Sequence, residues 1–224
     1  MFKTRVFPNF WQALFYNYIL PLIIVVPIGI VVILLFYKGV IPKEWYKSSS
    51  YFGHIFTIPF ILFFLWKSKI KISWSEFTTV NLKNLLLIIP LAIGVEFMFF
   101  GTIHLLERLF NRNYPSLQNK STYYLSVIQA LVAAPVIEEI LYRRIFLHQF
   151  LKQYSSWVAI ILSTFLFVIP HVPTIIYPEV FIPYFITGLF LGIVYYKTQS
   201  VLLCMISHFI MNAFTYLPID SIFK

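Results

Sequence analysis

A single cysteine, Cys204, in 224 residues excludes an intrachain disulfide framework. It lies in an apolar run and reads as a small packing residue. Charge is also scarce: 11% of the residues are Asp, Glu, Lys or Arg, against 60% hydrophobic. That balance excludes an ordinary soluble domain and points to a single integral membrane domain over residues 1–224. Acidic groups are rarest, eight against seventeen basic ones, for a net charge of +9. Nucleic acid is not indicated as a partner, because the basic residues fall in short clusters between apolar runs rather than in stripes. Such clusters suit loops held against anionic lipid, so the bilayer is the expected partner. No small-residue cleavage site follows Lys3 and Arg5, and the first apolar run is expected to be a retained anchor. Neither a solenoid-type repeat nor a low-complexity tail is present.

What the chain does have is long apolar runs. Seven of them read as helical spans of a hydrocarbon core about 30 Å thick, at roughly 11–37, 51–66, 85–106, 123–147, 156–169, 180–196 and 201–216. The fold class is therefore all-α, a polytopic membrane helical bundle. Pro21 and Pro27 should kink the first span. Residues 71–84 form an amphipathic segment suited to the cytoplasmic membrane surface, and Ser121 or Thr122 can cap the fourth helix. Gly188 and Gly192 have the small-xxx-small spacing that permits close helix packing. With the N-terminus in the cytoplasm, inner loops carry Lys3, Arg5, Lys67, Lys69, Lys71, Lys83, Arg143, Arg144, Lys152 and Lys197, a modest positive-inside bias.

The unusual stretch is LVAAPVIEEILYRRIFLH, residues 131–148. It sets Glu138 and Glu139 in apolar sequence, where an ionisable group costs several kcal/mol unless paired or hydrated. On a helix Glu139 and Arg143 share a face and can form an ion pair. Glu138 points about 100° away and is left for other work. The plain alternative is a helix flank whose Glu and Arg snorkel into the headgroups. Glu96, at mid-depth in the third span, either lines the same cavity or is protonated and hydrogen-bonded to a neighbouring helix.

Three more polar residues stand out on apolar segments: His171, just after Pro170, and His208 and Asn212 on the last helix. His208 and Asn212 are four apart and face the same way. The Asn amide can donate to an oxyanion or orient the imidazole. A carboxylate and two histidines can activate water in two ways. Glu138 can act as general base on a water held by His171, or Glu138, His171 and His208 can ligate a zinc ion that acidifies the water. Spacing does not decide between them.

These residues resemble a known family. Glu138 to Arg143 matches an E-E-x-x-x-R motif, Phe167 to His171 an F-x-x-x-H motif, and His208 to Asn212 an H-x-x-x-N motif. All occur in the order found in the CPBP family, which comprises the CAAX-prenyl-protease-like (Rce1-type) and bacteriocin-processing intramembrane endopeptidases, also called Abi proteins. The resemblance covers roughly 123–214, the catalytic core. Arg144 stands where many relatives have glycine, and Pro170 precedes the histidine of the second motif.

The resemblance implies an intramembrane protease that cleaves a membrane-associated peptide or protein, and the richness in Ile, Phe, Lys and Tyr points to a bacterial cell membrane. Glu138 and His171 would activate the water, His208 and Asn212 would hold the oxyanion, and Glu139 and Arg143 would support the site. A scaffold or bacteriocin-immunity protein of the same fold is the alternative, and a proton-coupled carrier a third. Prenylated CAAX peptides are the eukaryotic theme of the family. The Ile, Phe, Lys and Tyr bias of this chain favours leader or pheromone peptides. No cofactor is expected: Glu139, the one carboxylate near the histidines, is taken up by Arg143, which leaves zinc without the second shell it usually has.

Overall fold

A computed structural model describes residues 38–39, 80–112, 127–169, 171 and 177–216. The chain divides into two compact units, Met1–Lys71 and Ile72–Lys224, and all described residues except Lys38 and Gly39 lie in the second. The first two expected spans, with Pro21 and Pro27, lie outside the described residues. So do residues 71–79 of the surface segment, and Ser121 and Thr122.

Among the described residues there are five helices and no strand. Helix α1, Leu82–Phe110, starts at Asn81, whose side-chain oxygen accepts from the Lys83 N–H at 3.0 Å. At 29 residues it rises about 43 Å, more than the apolar thickness of a bilayer. Helix α2 runs over residues 129–150 and is not a regular α-helix: π-helical turns at Gln129–Ala133 and Ile140–Leu147 flank the α-helical Ala134–Glu139. Helix α3 is Ser156–Val168, α4 is Phe181–Thr198 and α5 is Val201–Phe214. The short helical turn Pro178–Val180 leads into α4.

Two of these helices, α1 and α4, are long and apolar enough to cross a membrane. At 13 and 14 residues, α3 and α5 rise only about 20 Å and do not span a bilayer core by themselves. The third, fifth, sixth and seventh expected spans thus correspond to helices, the fourth in its C-terminal part. A count of seven is not established by the five described.

Packing follows from small residues. A Cβ on Gly188 would stand 2.9 Å from Phe167 Cδ1, and one on Gly192 would stand 3.0 Å from Ile160 Cγ2. Both glycines therefore let α4 lie directly on α3, as the small-xxx-small spacing predicts. Helix α4 also packs on α1, and α5 packs on both α1 and α2. Ala92, Leu191 and Met211 meet where α1, α4 and α5 converge. The turn into α5 is tight. Gln199 adopts a left-handed φ of 52°, its side-chain amide donates to the Tyr195 and Tyr196 carbonyls, and Ser200 caps α5 by accepting from the Leu203 N–H.

Polarity runs inside out. Leu82, Leu86, Leu87, Leu91 and Met98 of α1 and Trp157 and Ile161 of α3 are exposed, while Glu96, Glu139, Arg143, Arg144, Ser163 and His208 are buried. An exposed aliphatic surface of this extent suits lipid as the solvent. Arg143 and Arg144 lie within α2 at 0% and 6% exposure. They are not loop residues, which corrects their use in the charge bias and weakens the orientation argument.

Candidate active site

The centre of the bundle is a carboxylate with two basic partners. Oε2 of Glu139 lies 3.0 Å from Nε of Arg143, one helical step along α2. Oε1 accepts from Nδ1–H of His208 on α5 at 2.9 Å. Glu139 and Arg143 are both fully buried, so each charge depends on the other. The guanidinium is held on two further sides. Its Nη1 donates to Ser163 Oγ of α3 at 3.4 Å, and that hydroxyl donates to the Tyr142 carbonyl at 2.8 Å. Its Cζ stands 5.0 Å above the Phe167 ring, a cation–π contact in a site shielded from water.

Phe167 joins the two histidines. Its ring centroid is 4.8 Å from that of His171 and 5.9 Å from that of His208. The close approach of Gly188 sets its position. His171 follows the end of α3, its N–H bonded to the Val168 carbonyl at 3.0 Å. Its Nδ1 lies 2.7 Å from the Phe167 carbonyl. A carbonyl oxygen only accepts, so Nδ1 carries the hydrogen and the lone pair of the neutral ring resides on Nε2. The backbone N–H four residues after Phe167 is that of His171, and since it bonds to Val168 the Phe167 oxygen is left for the imidazole.

The same logic explains Asn212. The Ala134 N–H bonds to the Gln129 carbonyl, the i→i+5 step of a π-turn. The corresponding donor for the Ala130 carbonyl would be residue 135, a proline with no N–H. That carbonyl receives Nδ2 of Asn212 from α5 at 2.7 Å. Asn212 thus pins α5 to α2 just before the two glutamates, with its second N–H directed elsewhere. Among the described residues it makes no bond to the His208 ring, which Glu139 orients instead.

Glu138 is partly buried and Glu139 fully so. Glu138 stands close enough to His208 and to Tyr184 for its charge to act on both. Glu96 is buried at 4% exposure and also acts on Tyr184. The Tyr184 ring in turn lies 4.6 Å from His171. Glu96, Glu138, His171 and His208 are therefore drawn around two aromatic rings, Phe167 and Tyr184.

The expectation that Glu139 serves Arg143 alone is corrected: it bridges Arg143 and His208. It is the kind of outer carboxylate that orients a metal-bound histidine, so the second-shell argument against zinc falls. Among the described residues no group of three His, Cys, Asp or Glu is placed to hold a metal ion.

Sequence reasoning passed over Ser163, Tyr184 and the Ala130 carbonyl. For Ser163 a signal existed, since residues 163 and 167 are spaced by four on one face of α3.

Among the described residues, a helical bundle with an aliphatic exterior surrounds a buried polar centre, and two of its helices are long and apolar enough to cross a membrane. Residues 120–214, a stretch that holds all three motifs, match the family described as Type II CAAX prenyl endopeptidase Rce1-like. No curated protein and no solved structure matches the chain.

Proposed function

We propose that this chain is an intramembrane endopeptidase that hydrolyses a peptide bond in a membrane-associated peptide or protein. The observation that carries the reading is the bridge from Glu139 to Arg143 and His208, set beside Glu138. One of two adjacent carboxylates is occupied in holding basic groups, and the other stands close enough to His208 for its charge to act there.

In this reading water is held by the Nε2 lone pair of His171 and gives its proton to Glu138 as its oxygen attacks the scissile carbonyl carbon. The oxyanion forms opposite His208 and the second N–H of Asn212. To donate there, His208 must carry hydrogen on both nitrogens. Nδ1–H is given to Glu139, so the donor toward the oxyanion is Nε2–H of the imidazolium. When the C–N bond breaks, Glu138 returns the proton to the leaving amine. No step is routed through a metal.

The match to a CAAX-type family makes a substrate anchored near the membrane surface the natural class. A bacterial cell membrane and leader or pheromone peptides remain part of the proposal, on the composition of the chain.

The test is purified protein in detergent, incubated with a peptide library and read by mass spectrometry. The wild type should cut, and Glu138→Gln should lose on the order of 10²- to 10⁴-fold in rate while remaining folded. Absence of cleavage, with Glu138→Gln keeping its cellular effect, would favour the scaffold or immunity reading.

A further inference from the structure

We propose that Tyr184 is a further catalytic residue, its phenolic hydroxyl donating a hydrogen bond to the scissile carbonyl oxygen as negative charge develops there. The inference rests on the endopeptidase reading and extends it to a residue outside the three motifs.

Tyr184 lies in the first turn of α4, and its ring is fixed from several sides. The His171 ring lies tilted against it at 4.6 Å, and the Phe99 ring of α1 meets it edge-on at 5.3 Å. The apolar cluster of Ile103, Leu106 and Val180 closes a third side. A ring held this way aims its hydroxyl without further ordering, which is what an oxyanion donor requires.

The hydroxyl itself makes no hydrogen bond among the described residues. A partly buried phenol ordinarily finds a partner. Here it stands within electrostatic reach of Glu96 and Glu138, beside the imidazole assigned to hold water. A polar donor in such a place is suited to an acceptor that arrives with the substrate.

The alternative donors are already partly committed. Nδ1–H of His208 is given to Glu139 and one N–H of Asn212 to the Ala130 carbonyl. A neutral O–H adds a donor toward the developing anion without changing the charge of the site. The hydroxyl donates a hydrogen bond only. It transfers no proton, and the bonds made and broken remain those of the hydrolysis described above.

Tyr184→Phe removes the O–H and keeps the ring, whereas Tyr184→Leu removes both. With a peptide cleaved by the wild type, Tyr184→Phe should unfold at the wild-type temperature and lose about 10²-fold in kcat, with KM little changed. A phosphinic peptide, which mimics the tetrahedral species, should bind Tyr184→Phe more weakly by a similar factor, while an uncleavable amide analogue binds as before. Wild-type kcat in Tyr184→Phe, even with a defective Tyr184→Leu, would reduce Tyr184 to ring packing and overturn the inference. Equal losses for the phosphinic and amide ligands would overturn it too. Glu138→Gln run alongside separates the two levels. A fully active Glu138→Gln, or an inert wild type, removes the endopeptidase reading together with this one. An active wild type with an unimpaired Tyr184→Phe removes this one alone.

Discussion

Glu139 on α2 and His208 on α5 are 69 residues apart in sequence and 2.9 Å apart in space, the Nδ1–H of the imidazole donating to Oε1 of the carboxylate. Since the other oxygen faces Arg143, this one side chain fixes the guanidinium of its own helix and the imidazole of another. It thereby sets the direction in which Nε2 of His208 points. In the proposed mechanism this carboxylate orients the catalytic groups and takes no proton itself.

Glu139→Ala should consequently damage folding as well as catalysis. It strands the fully buried Arg143, and breaking a buried ion pair typically costs about 3–5 kcal/mol. The midpoint of thermal unfolding in detergent should fall well below that of the wild type, and that of Glu138→Gln should not. An unchanged midpoint in Glu139→Ala would show that the bridge does not stabilise the fold.

Two glycines distinguish packing from helix propensity. A Cβ at Gly94 meets nothing within 4 Å, while one at Gly188 meets Phe167 at 2.9 Å. Gly94→Ala should be neutral or stabilising by up to about 1 kcal/mol, the ordinary gain of Ala over Gly in a helix. Gly188→Ala should push on Phe167 and lower both the unfolding midpoint and kcat, with Gly188→Val worse. Similar behaviour of the Gly94 and Gly188 variants would contradict the close contact of α3 with α4.

Asn212→Ala should leave the Ala130 carbonyl without its donor, at a cost of about 1–3 kcal/mol. Pro135→Ala restores an N–H to that turn of α2 and offers the carbonyl a donor of its own. In a double-mutant cycle the Asn212→Ala penalty should therefore be smaller in the Pro135→Ala background. Strict additivity would indicate that the missing proline N–H does not determine the partner of Ala130.

The proposed absence of a catalytic metal is decided by elemental analysis of protein shown to be active. Substoichiometric zinc and full activity in the presence of a chelator are expected. Stoichiometric zinc, with activity lost to the chelator and restored by zinc alone, would replace the direct Glu138–His171 mechanism.

What the sequence made legible was local. Glu139 and Arg143 pair because a helix brings positions four apart together, and Gly188 and Gly192 pack because their spacing leaves a groove. Both are properties of one helix and can be read along it. The Glu139–His208 bridge joins different helices, and no spacing encodes it. Tyr184 is one of fifteen tyrosines in the chain, and only the approach of α1 and His171 distinguishes it. The Ala130 carbonyl has no side-chain signature; its availability depends on a π-turn and on the proline five residues later. Arg144 counts as an inner-loop cation in the charge bias, but it lies inside α2, buried at 6% exposure.

The outward Leu, Met, Trp and Ile side chains of α1 and α3 have a further consequence, one of supply. A lipid-anchored or amphipathic peptide concentrates by partitioning into the bilayer, so the organic substrate reaches such a protein already enriched. The co-substrate does not: each turnover consumes one water molecule that must leave the bulk phase and cross surroundings in which it is poorly soluble. For the proposed hydrolase, water is thus the limiting reagent. Turnover should respond to lowered water activity, imposed by an excluded osmolyte, more steeply than that of a soluble peptidase acting on the same peptide.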